Sequence, residues 1–141
     1  MNTTANEVGV SICSALDNLD LIQILTDSLT EFMSFDEDSA HWVGMSVRES
    51  VTNAIQHGNK LDVNKKVDIR FRVHPDRIDI FIKDQGAGFC VDEIPSPLDS
   101  ENLLKPSGRG IFYIRTFMDE VEFRNLSQGG TEVYMMKKIS N

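Results

Sequence analysis

Three side chains of the run ESVTNAIQHGNK have types and a spacing that suit chemistry on a bound ligand. Glu49, Asn53 and His57 recur at i, i+4 and i+8, so a helix would bring them to one face. At about 100° per residue, this polar row lies roughly a third of a turn from an apolar row. The apolar row consists of Val43, Val47, Val51 and Ala54. Such a helix buries one face and offers the other either to solvent or to a ligand, for which the polar row would supply a metal ligand and an acid or base.

A glycine loop follows a predicted strand at DQGAGF, from Asp84 to Phe89. Gly86 and Gly88 lack a Cβ, so they permit positive φ and let a ligand or another backbone segment come close. The ionised carboxylate of Asp84 accepts hydrogen bonds only, so it could receive the exocyclic amino group of adenine. The same residues would also form a simple glycine turn capped by aspartate. From this loop alone, both interpretations stay open.

A second glycine segment, SGRGI from Ser107 to Ile111, leads into a predicted helix. The first N–H groups of a helix have no partner inside it, and they bind phosphate oxygens readily. A bare GxG is common by composition, so this segment alone indicates little. Its place in the chain matters more. The polar row, the loop that begins at Asp84 (the aspartate loop) and the glycine segment follow one another along the chain, and their conjunction indicates more than any one of them alone.

Hydrophobic periodicity predicts the elements that position these residues. They are a strand at 7–16, a helix from the cap Asp17 or Asn18 to about Ser34, a helix at 38–57, strands at 67–74 and 78–83, a helix at 110–117, and strands at 121–126 and 131–139. We expect Gly58 and Asn59 to end the second helix in left-handed conformations. Periodicity disappears over about 86–107, which indicates a lid. The order predicts an α+β fold, with a largely antiparallel sheet and its helices on one face.

The composition is that of one globular domain over residues 1–141, with 40% hydrophobic and 26% charged residues. No apolar run approaches the ~18 residues that span a bilayer, and no leader pattern is present, so we expect a cytoplasmic protein without membrane contact. Cys13 and Cys90 form no CxxC, which disfavours a disulfide framework or a metal cluster. The net charge of -8 disfavours direct nucleic-acid binding and favours a protein partner. Mg²⁺ and backbone amides could still meet the charge of ATP locally.

The three motifs, in this order, resemble those of the GHKL superfamily, and especially those of the small anti-sigma-factor serine kinases. The resemblance covers nearly the whole chain, because the motif order, the short lid and the total length all fit. The run GIFYIRTFMDEVEF after the last glycine motif fits as well. The resemblance implies the Bergerat ATP-binding fold, a two-layer sandwich of a mostly antiparallel mixed sheet with helices on one face.

The resemblance also implies roles for individual residues, with ATP and Mg²⁺ as cofactors. Asn53 matches the position that coordinates the Mg²⁺ bridging the phosphates, and Glu49 matches the proposed general base. Asp84 matches the aspartate that recognises adenine, supported by Thr131 of the GGT turn. The glycines that match the shape-determining positions of this pocket are Gly86 and Gly88.

The glycine segment matches the phosphate-binding end of the lid. Ser107 begins it, and Gly108 and Gly110 match the phosphate-loop glycines. Arg109 lies between them, where it would contact either phosphate or solvent. His57 matches a frequent but less diagnostic position, and a structural histidine at the end of a helix explains it equally well.

The resemblance implies an ATP-dependent serine/threonine-protein kinase that is also an anti-sigma factor. Such a protein phosphorylates a STAS-type anti-anti-sigma protein and sequesters a sigma factor. Two alternatives stay open: an ATP-binding regulator without phosphotransfer, and the catalytic domain of a histidine kinase acting in trans. The latter is disfavoured because the chain shows no two-helix segment with an acceptor histidine. Relatives commonly form homodimers, for which the exposed side of the first strand and first helix is a plausible interface.

Overall fold

The computed structural model describes residues 6–86 and 106–139. The strands are β1 (Asn6–Cys13), β2 (Lys66–Val73), β3 (Arg77–Lys83), β4 (Glu120–Asn125) and β5 (Thr131–Lys138). The helices are α1 (Leu19–Phe32), α2 (Glu37–Asn53) and α3 (Pro106–Phe117). The predicted element order is therefore confirmed over the described residues. No helix within these residues is long and apolar enough to cross a bilayer.

The five described strands form one sheet in the order β1-β2-β3-β5-β4, and every neighbouring pair is antiparallel. This confirms the α+β class and the largely antiparallel sheet. β3 and β5 are neighbours whose register pairs Lys83 with Glu132. Because the strands run in opposite directions, the end of β3 and the start of β5 meet at one end of the sheet. This register places Asp84 beside Thr131.

One face of the sheet packs against the helices, as period-two alternation requires. The inward side chains of the central strands are fully or nearly buried: Val67, Ile69, Phe71, Ile78, Ile80, Ile82, Val133 and Met135. The helices contribute Leu19, Ile22, Val43, Val47, Val51 and Ile114 to the same core. Burial of each large apolar side chain contributes about 1.5–3 kcal/mol. The apolar row of α2 thus anchors the helix that carries the polar row.

The ends of α1 and α2 differ in part from prediction. Asp36 caps α2, because its carboxylate accepts a hydrogen bond from the Ser39 N–H (3.0 Å). Asn18, one of the two predicted caps, occupies the position directly before α1, but its side chain forms no capping hydrogen bond, and a 3-10 turn over Leu16–Asn18 leads into the helix. The Asn18 side chain instead donates to the Cys13 carbonyl (3.0 Å). Asn18 therefore binds the end of β1 and not the helix N-terminus.

The helix at α2 continues beyond Asn53 as a π turn over Ala54–Gly58. The predicted left-handed stop at Gly58 and Asn59 is wrong, because Asn59 has φ -90°. The left-handed residues are Lys60 and Leu61, with φ 52° and 60°. The wider π turn carries the chain past Gly58 and displaces the reversal by two residues. Gly58 instead lies directly against the side chain of Asp84.

Helix α3 begins earlier than the sequence predicted. It includes Pro106, a residue suited to the first helical turn because its missing N–H is not needed there. Residues 107–110 therefore lie inside the first turns of the helix and not in a loop before it. The lid predicted over 86–107 otherwise falls outside the described residues, as do Gly88 and Cys90.

Candidate functional site

The polar row of α2 begins with Glu49, which is half-buried. Burial raises the pKa of its carboxyl above the usual range. The carboxylate contacts Gly110 of α3 so closely that a Cβ on residue 110 would overlap it. A glycine at this position therefore makes room for the Glu49 side chain. The predicted phosphate segment and the predicted base lie against each other.

Asn53 is half-buried one turn further along α2 and ends its regular part. His57 is exposed and lies in the π turn. The alignment predicted for His57 assumed regular α-helical spacing, in which residues four apart face the same way. A π turn has i→i+5 hydrogen bonds and a wider winding, so the i, i+4 alignment ends at Asn53.

Asp84 follows β3 and is 5% exposed. Its Oδ1 accepts two backbone hydrogen bonds, from the Gly86 N–H (2.9 Å) and the Thr131 N–H (3.1 Å). The Asp84 N–H in turn donates to the Thr131 carbonyl (3.0 Å). Burial raises the pKa of the Asp84 carboxyl, although both hydrogen bonds and nearby Lys65 oppose the increase. Oδ2 accepts no hydrogen bond from the described residues.

Three glycines surround Asp84 with backbone and no side chain. A Cβ on Gly58 would overlap Asp84 Oδ2, and a Cβ on Gly86 would overlap the Gly58 carbonyl oxygen. A Cβ on Gly130 would overlap the Asp84 carbonyl oxygen, and its φ of +94° is itself a glycine conformation. We refer to Gly58, Gly86 and Gly130 as the glycine cradle. The cradle holds the π turn, the aspartate loop and the start of β5 in direct backbone contact.

Thr131 is 2% exposed, and its Oγ1 is buried without a hydrogen-bond partner among the described residues. Buried polar atoms in folded proteins nearly always have a partner, so an unpaired one marks a position where a ligand or water can bond. The hydroxyl belongs to the residue that holds Asp84 through its backbone. Asp84 Oδ2 and Thr131 Oγ1 therefore belong to two residues joined by backbone hydrogen bonds, and neither atom has a hydrogen-bond partner among the described residues.

The described chain unites most of the predicted site residues. Glu49, in the last turn of α2, meets Gly110, and the π turn that directly follows α2 brings Gly58 to Asp84. Asn53 lies between these two contacts along the helix. The remaining predicted residues are described only in part: Ser107, Gly108 and Arg109 are helical, and Gly88 lies outside the described residues.

Two residues make contacts with the aspartate loop that the sequence did not predict. Sequence reasoning assigned Gly58 and Asn59 only to the end of a helix, whereas Gly58 belongs to the glycine cradle. Asn59 is 1% exposed, and its Oδ1 accepts a hydrogen bond from the Gln85 N–H of the aspartate loop. The only signal in the sequence was the pair itself, directly after the polar row.

The sequence matches the profile of the histidine kinase-like ATPase domain over residues 14–137. It is 28% identical to the serine-protein kinase RsbW of Bacillus subtilis, covering 99% of this chain and 90% of the relative. It is 34% identical to the anti-sigma F factor of Oceanobacillus iheyensis, covering 96% of this chain and 94% of the relative.

Two solved structures share the fold. A crystal structure of the RsbU and RsbW domains of a Mycobacterium tuberculosis protein aligns with a TM-score of 0.71 at 12% identity, over 96% of this chain and 32% of that one. The mycobacterial sensor histidine kinase MprB aligns with a TM-score of 0.56 at 14% identity, over 94% and 98% of the two chains. At these identities the likeness concerns the fold alone.

The antiparallel sheet and the helix layer are those of the histidine kinase-like ATPase class. The chain belongs to the histidine kinase-like ATPase family and, within it, to the group of the anti-sigma kinases. It is accordingly an ATP-using enzyme, a kinase.

Proposed function

We propose that this kinase transfers the γ-phosphoryl group of ATP to a serine or threonine of a STAS-type anti-anti-sigma protein, and that it also sequesters a sigma factor. The observation that carries the proposal is the pairing of Asp84 with Thr131 inside the glycine cradle, joined by α2 to Glu49. The names of the relatives, a serine-protein kinase and an anti-sigma F factor, support both activities.

The surroundings of Asp84 fit adenine. Its Oδ2 would accept from the exocyclic amino group, because Oδ1 is already engaged by two backbone N–H groups. The unpaired Thr131 Oγ1 would bond a second polar atom of the ring. The glycines of the cradle let the backbone close tightly around Asp84, because a Cβ at any of them would overlap Asp84 or its neighbours. Gly88 is proposed to complete this pocket, by resemblance.

The phosphates would lie between α2 and the N-terminal turns of α3. The free N–H groups of a helix N-terminus bind phosphate oxygens, and we assign this part to the segment from Ser107 to Gly110, which includes Gly108. Arg109 is proposed to contact a phosphate. Asn53 would hold Mg²⁺, which when bound neutralises the phosphate charge during transfer.

Glu49 is the proposed base. Its burial raises the pKa of the carboxyl toward the working pH, which favours proton acceptance from a hydroxyl. The acceptor oxygen bonds to the γ-phosphorus as the bond to the β–γ bridging oxygen breaks. The hydroxyl proton passes to Glu49, and ADP leaves. Positioning and charge stabilisation supply most of the acceleration in such reactions.

Phosphorylating one partner while binding another would make the protein a switch between two protein partners. We place it in the cytoplasm, where sigma factors act. A homodimer through the exposed side of β1 and α1 stays a prediction, and β1 is an edge strand of the sheet. The acidic chain favours protein partners over direct nucleic-acid contact.

The test is incubation of the full chain with γ-labelled ATP, Mg²⁺ and candidate STAS proteins, together with nucleotide titration and sigma-factor binding. We expect acid-stable label on one STAS protein and ATP-dependent binding of a sigma factor. Acid-labile label would point instead to a histidine kinase. Tight ATP binding with no labelled partner would favour a regulator without phosphotransfer.

A further inference from the structure

Asn59 lies directly after the π turn, and its side chain is fully engaged in hydrogen bonds. Its Nδ2 donates to Ser14 Oγ (2.8 Å) and to the Lys66 carbonyl (3.0 Å). Its Oδ1 accepts from the Gln85 N–H (2.7 Å). Gln85 Oε1 accepts in turn from the Lys66 N–H (2.7 Å). Asn59, Lys66 and Gln85 therefore form a closed ring of hydrogen bonds, with Ser14 attached to it.

This ring of hydrogen bonds joins the Asp84–Gly86 loop to the first residue of β2, Lys66. Gln85 lies between Asp84 and Gly86, so the bond to its N–H holds the peptide unit that directly follows Asp84. From the other side, the start of β5 holds Asp84 through Thr131. The aspartate backbone is thus fixed on two sides, and Asn59 provides one of them.

The contacts require both functional groups of an asparagine amide. A carboxylate would keep the acceptor for Gln85 but would lose both donors, to Ser14 and to the Lys66 carbonyl. An alanine would leave the Gln85 N–H without its acceptor in the loop. Asn59 is 1% exposed, so water is not available to replace these partners.

We propose that Asn59 is a positioning residue for adenine recognition: its amide sets the backbone of the Asp84–Gly86 loop and thereby the direction of the Asp84 carboxylate. This assignment rests on the proposed function, because it presupposes that Asp84 binds adenine. Asn59 bonds the Gln85 backbone and not the Asp84 carboxylate, so it affects adenine binding only through the loop. Its loss affects nucleotide binding more than phosphoryl transfer.

The experiment compares wild type, Asn59→Ala and a matched control, Asn18→Ala. Asn18 is half-buried, and its side chain likewise donates a hydrogen bond to a backbone carbonyl, that of Cys13. For each protein we would measure thermal stability, affinity for Mg-ATP and Mg-GTP, and steady-state kcat and KM. We expect Asn59→Ala to raise Kd and KM for ATP about tenfold and to lower the ratio of ATP to GTP affinity, with kcat at saturating ATP within about twofold of wild type.

Asn18→Ala is expected to lower thermal stability without changing the nucleotide ratio. If Asn59→Ala lowers stability but keeps the wild-type ATP affinity and ATP:GTP ratio, the residue is merely structural and the proposal is wrong. If wild type itself binds no ATP, the proposed function is wrong, and the role proposed for Asn59 is wrong with it.

A second variant keeps the test decisive if Asn59→Ala does not fold. Gln85 is exposed, and Gln85→Ala removes only its side-chain bond to the Lys66 N–H, which opens the ring on one side. We expect a rise of about threefold in KM for ATP, with kcat unchanged. Unchanged KM and Kd for ATP in this folded variant would overturn the proposal.

Discussion

The carboxylate of Glu49 on α2 occupies the space in which a Cβ of residue 110 would lie on α3. The absence of a side chain at Gly110 is therefore a condition for the observed position of Glu49. This contact couples the proposed base to the helix proposed to bind phosphate.

Gly110→Ala should displace the Glu49 side chain, since a carboxylate at the end of a flexible side chain moves more easily than backbone. Alanine favours a helix over glycine by about 1 kcal/mol, so α3 itself should persist. We expect kcat for phosphotransfer to fall about 10- to 100-fold with circular dichroism unchanged. Wild-type kcat in a folded variant would contradict the coupling.

Glu49→Gln should remove the proton acceptor and lower kcat about 10²- to 10⁴-fold, with little change in ATP affinity. For wild type, kcat/KM should rise with pH through the raised pKa of the Glu49 carboxyl, because the ionised form is the base. Measuring the rate of label transfer by wild type and by Glu49→Gln over a range of pH tests both the loss of kcat and the pH dependence. Comparable kcat from Glu49→Gln would remove the assignment.

The same substitution should change stability with a defined sign. Because the pKa of Glu49 is raised in the folded protein, the protonated form stabilises the fold fully below the ordinary value of 4.5. That stabilisation is lost as pH rises through the folded pKa. The Tm of Glu49→Gln relative to wild type should therefore increase from about pH 4 to about pH 7. Glu31→Gln on the exposed side of α1 is the control for the loss of one surface carboxylate.

Asp84→Asn should reduce the preference for adenine over guanine nucleotides. The two backbone N–H groups that bond Oδ1 would retain the amide oxygen there, leaving the amide nitrogen to point toward the ligand. A donor would then face the amino group of adenine. We expect ATP affinity to fall about 10- to 100-fold while GTP affinity does not fall. Equal ATP and GTP binding by wild type would contradict the role of Asp84.

Asn53→Ala should abolish the Mg²⁺ dependence of nucleotide binding and leave the fold intact, since Asn53 is only half-buried. Titration of ATP with and without Mg²⁺ measures the effect. Gln56→Ala, an exposed change in the adjoining π turn, should bind as wild type does. If Asn53→Ala keeps the full Mg²⁺ dependence, Asn53 is not the metal ligand.

Gly58→Ala should place a Cβ on Asp84 Oδ2 and displace the carboxylate that is proposed to bind adenine. The Asp84 backbone cannot retreat freely, because Thr131 holds it. We expect ATP affinity to fall at least about tenfold. Gly9→Ala is the matched control: its Cβ would lie 3.7 Å from Arg70 Cγ, an ordinary contact. Equal ATP affinity in the two variants would exclude the cradle as part of the pocket.

Much of the fold was predictable from local patterns. The alternation in β2 and β3 and the apolar row of α2 depend on residues close in sequence, and these elements were found with small shifts at their ends. The errors lie at the ends of helices. The cap of α1, the stop after α2 and the start of α3 depend on contacts with other segments, such as that of Asn18 with Cys13.

The sequence by itself determined which side chains are available for chemistry and the order in which the elements carry them, because both follow from residue types and short-range periodicity. Only the tertiary structure decided which backbones touch. Glu49 meets Gly110, and Gly58 meets Asp84, across long stretches of chain, because the helices and strands pack as rigid units whose separation is set by the core. For the same reason the sequence places Asn59 only at the end of a helix, whereas in the fold its side chain accepts a hydrogen bond from the backbone of the aspartate loop.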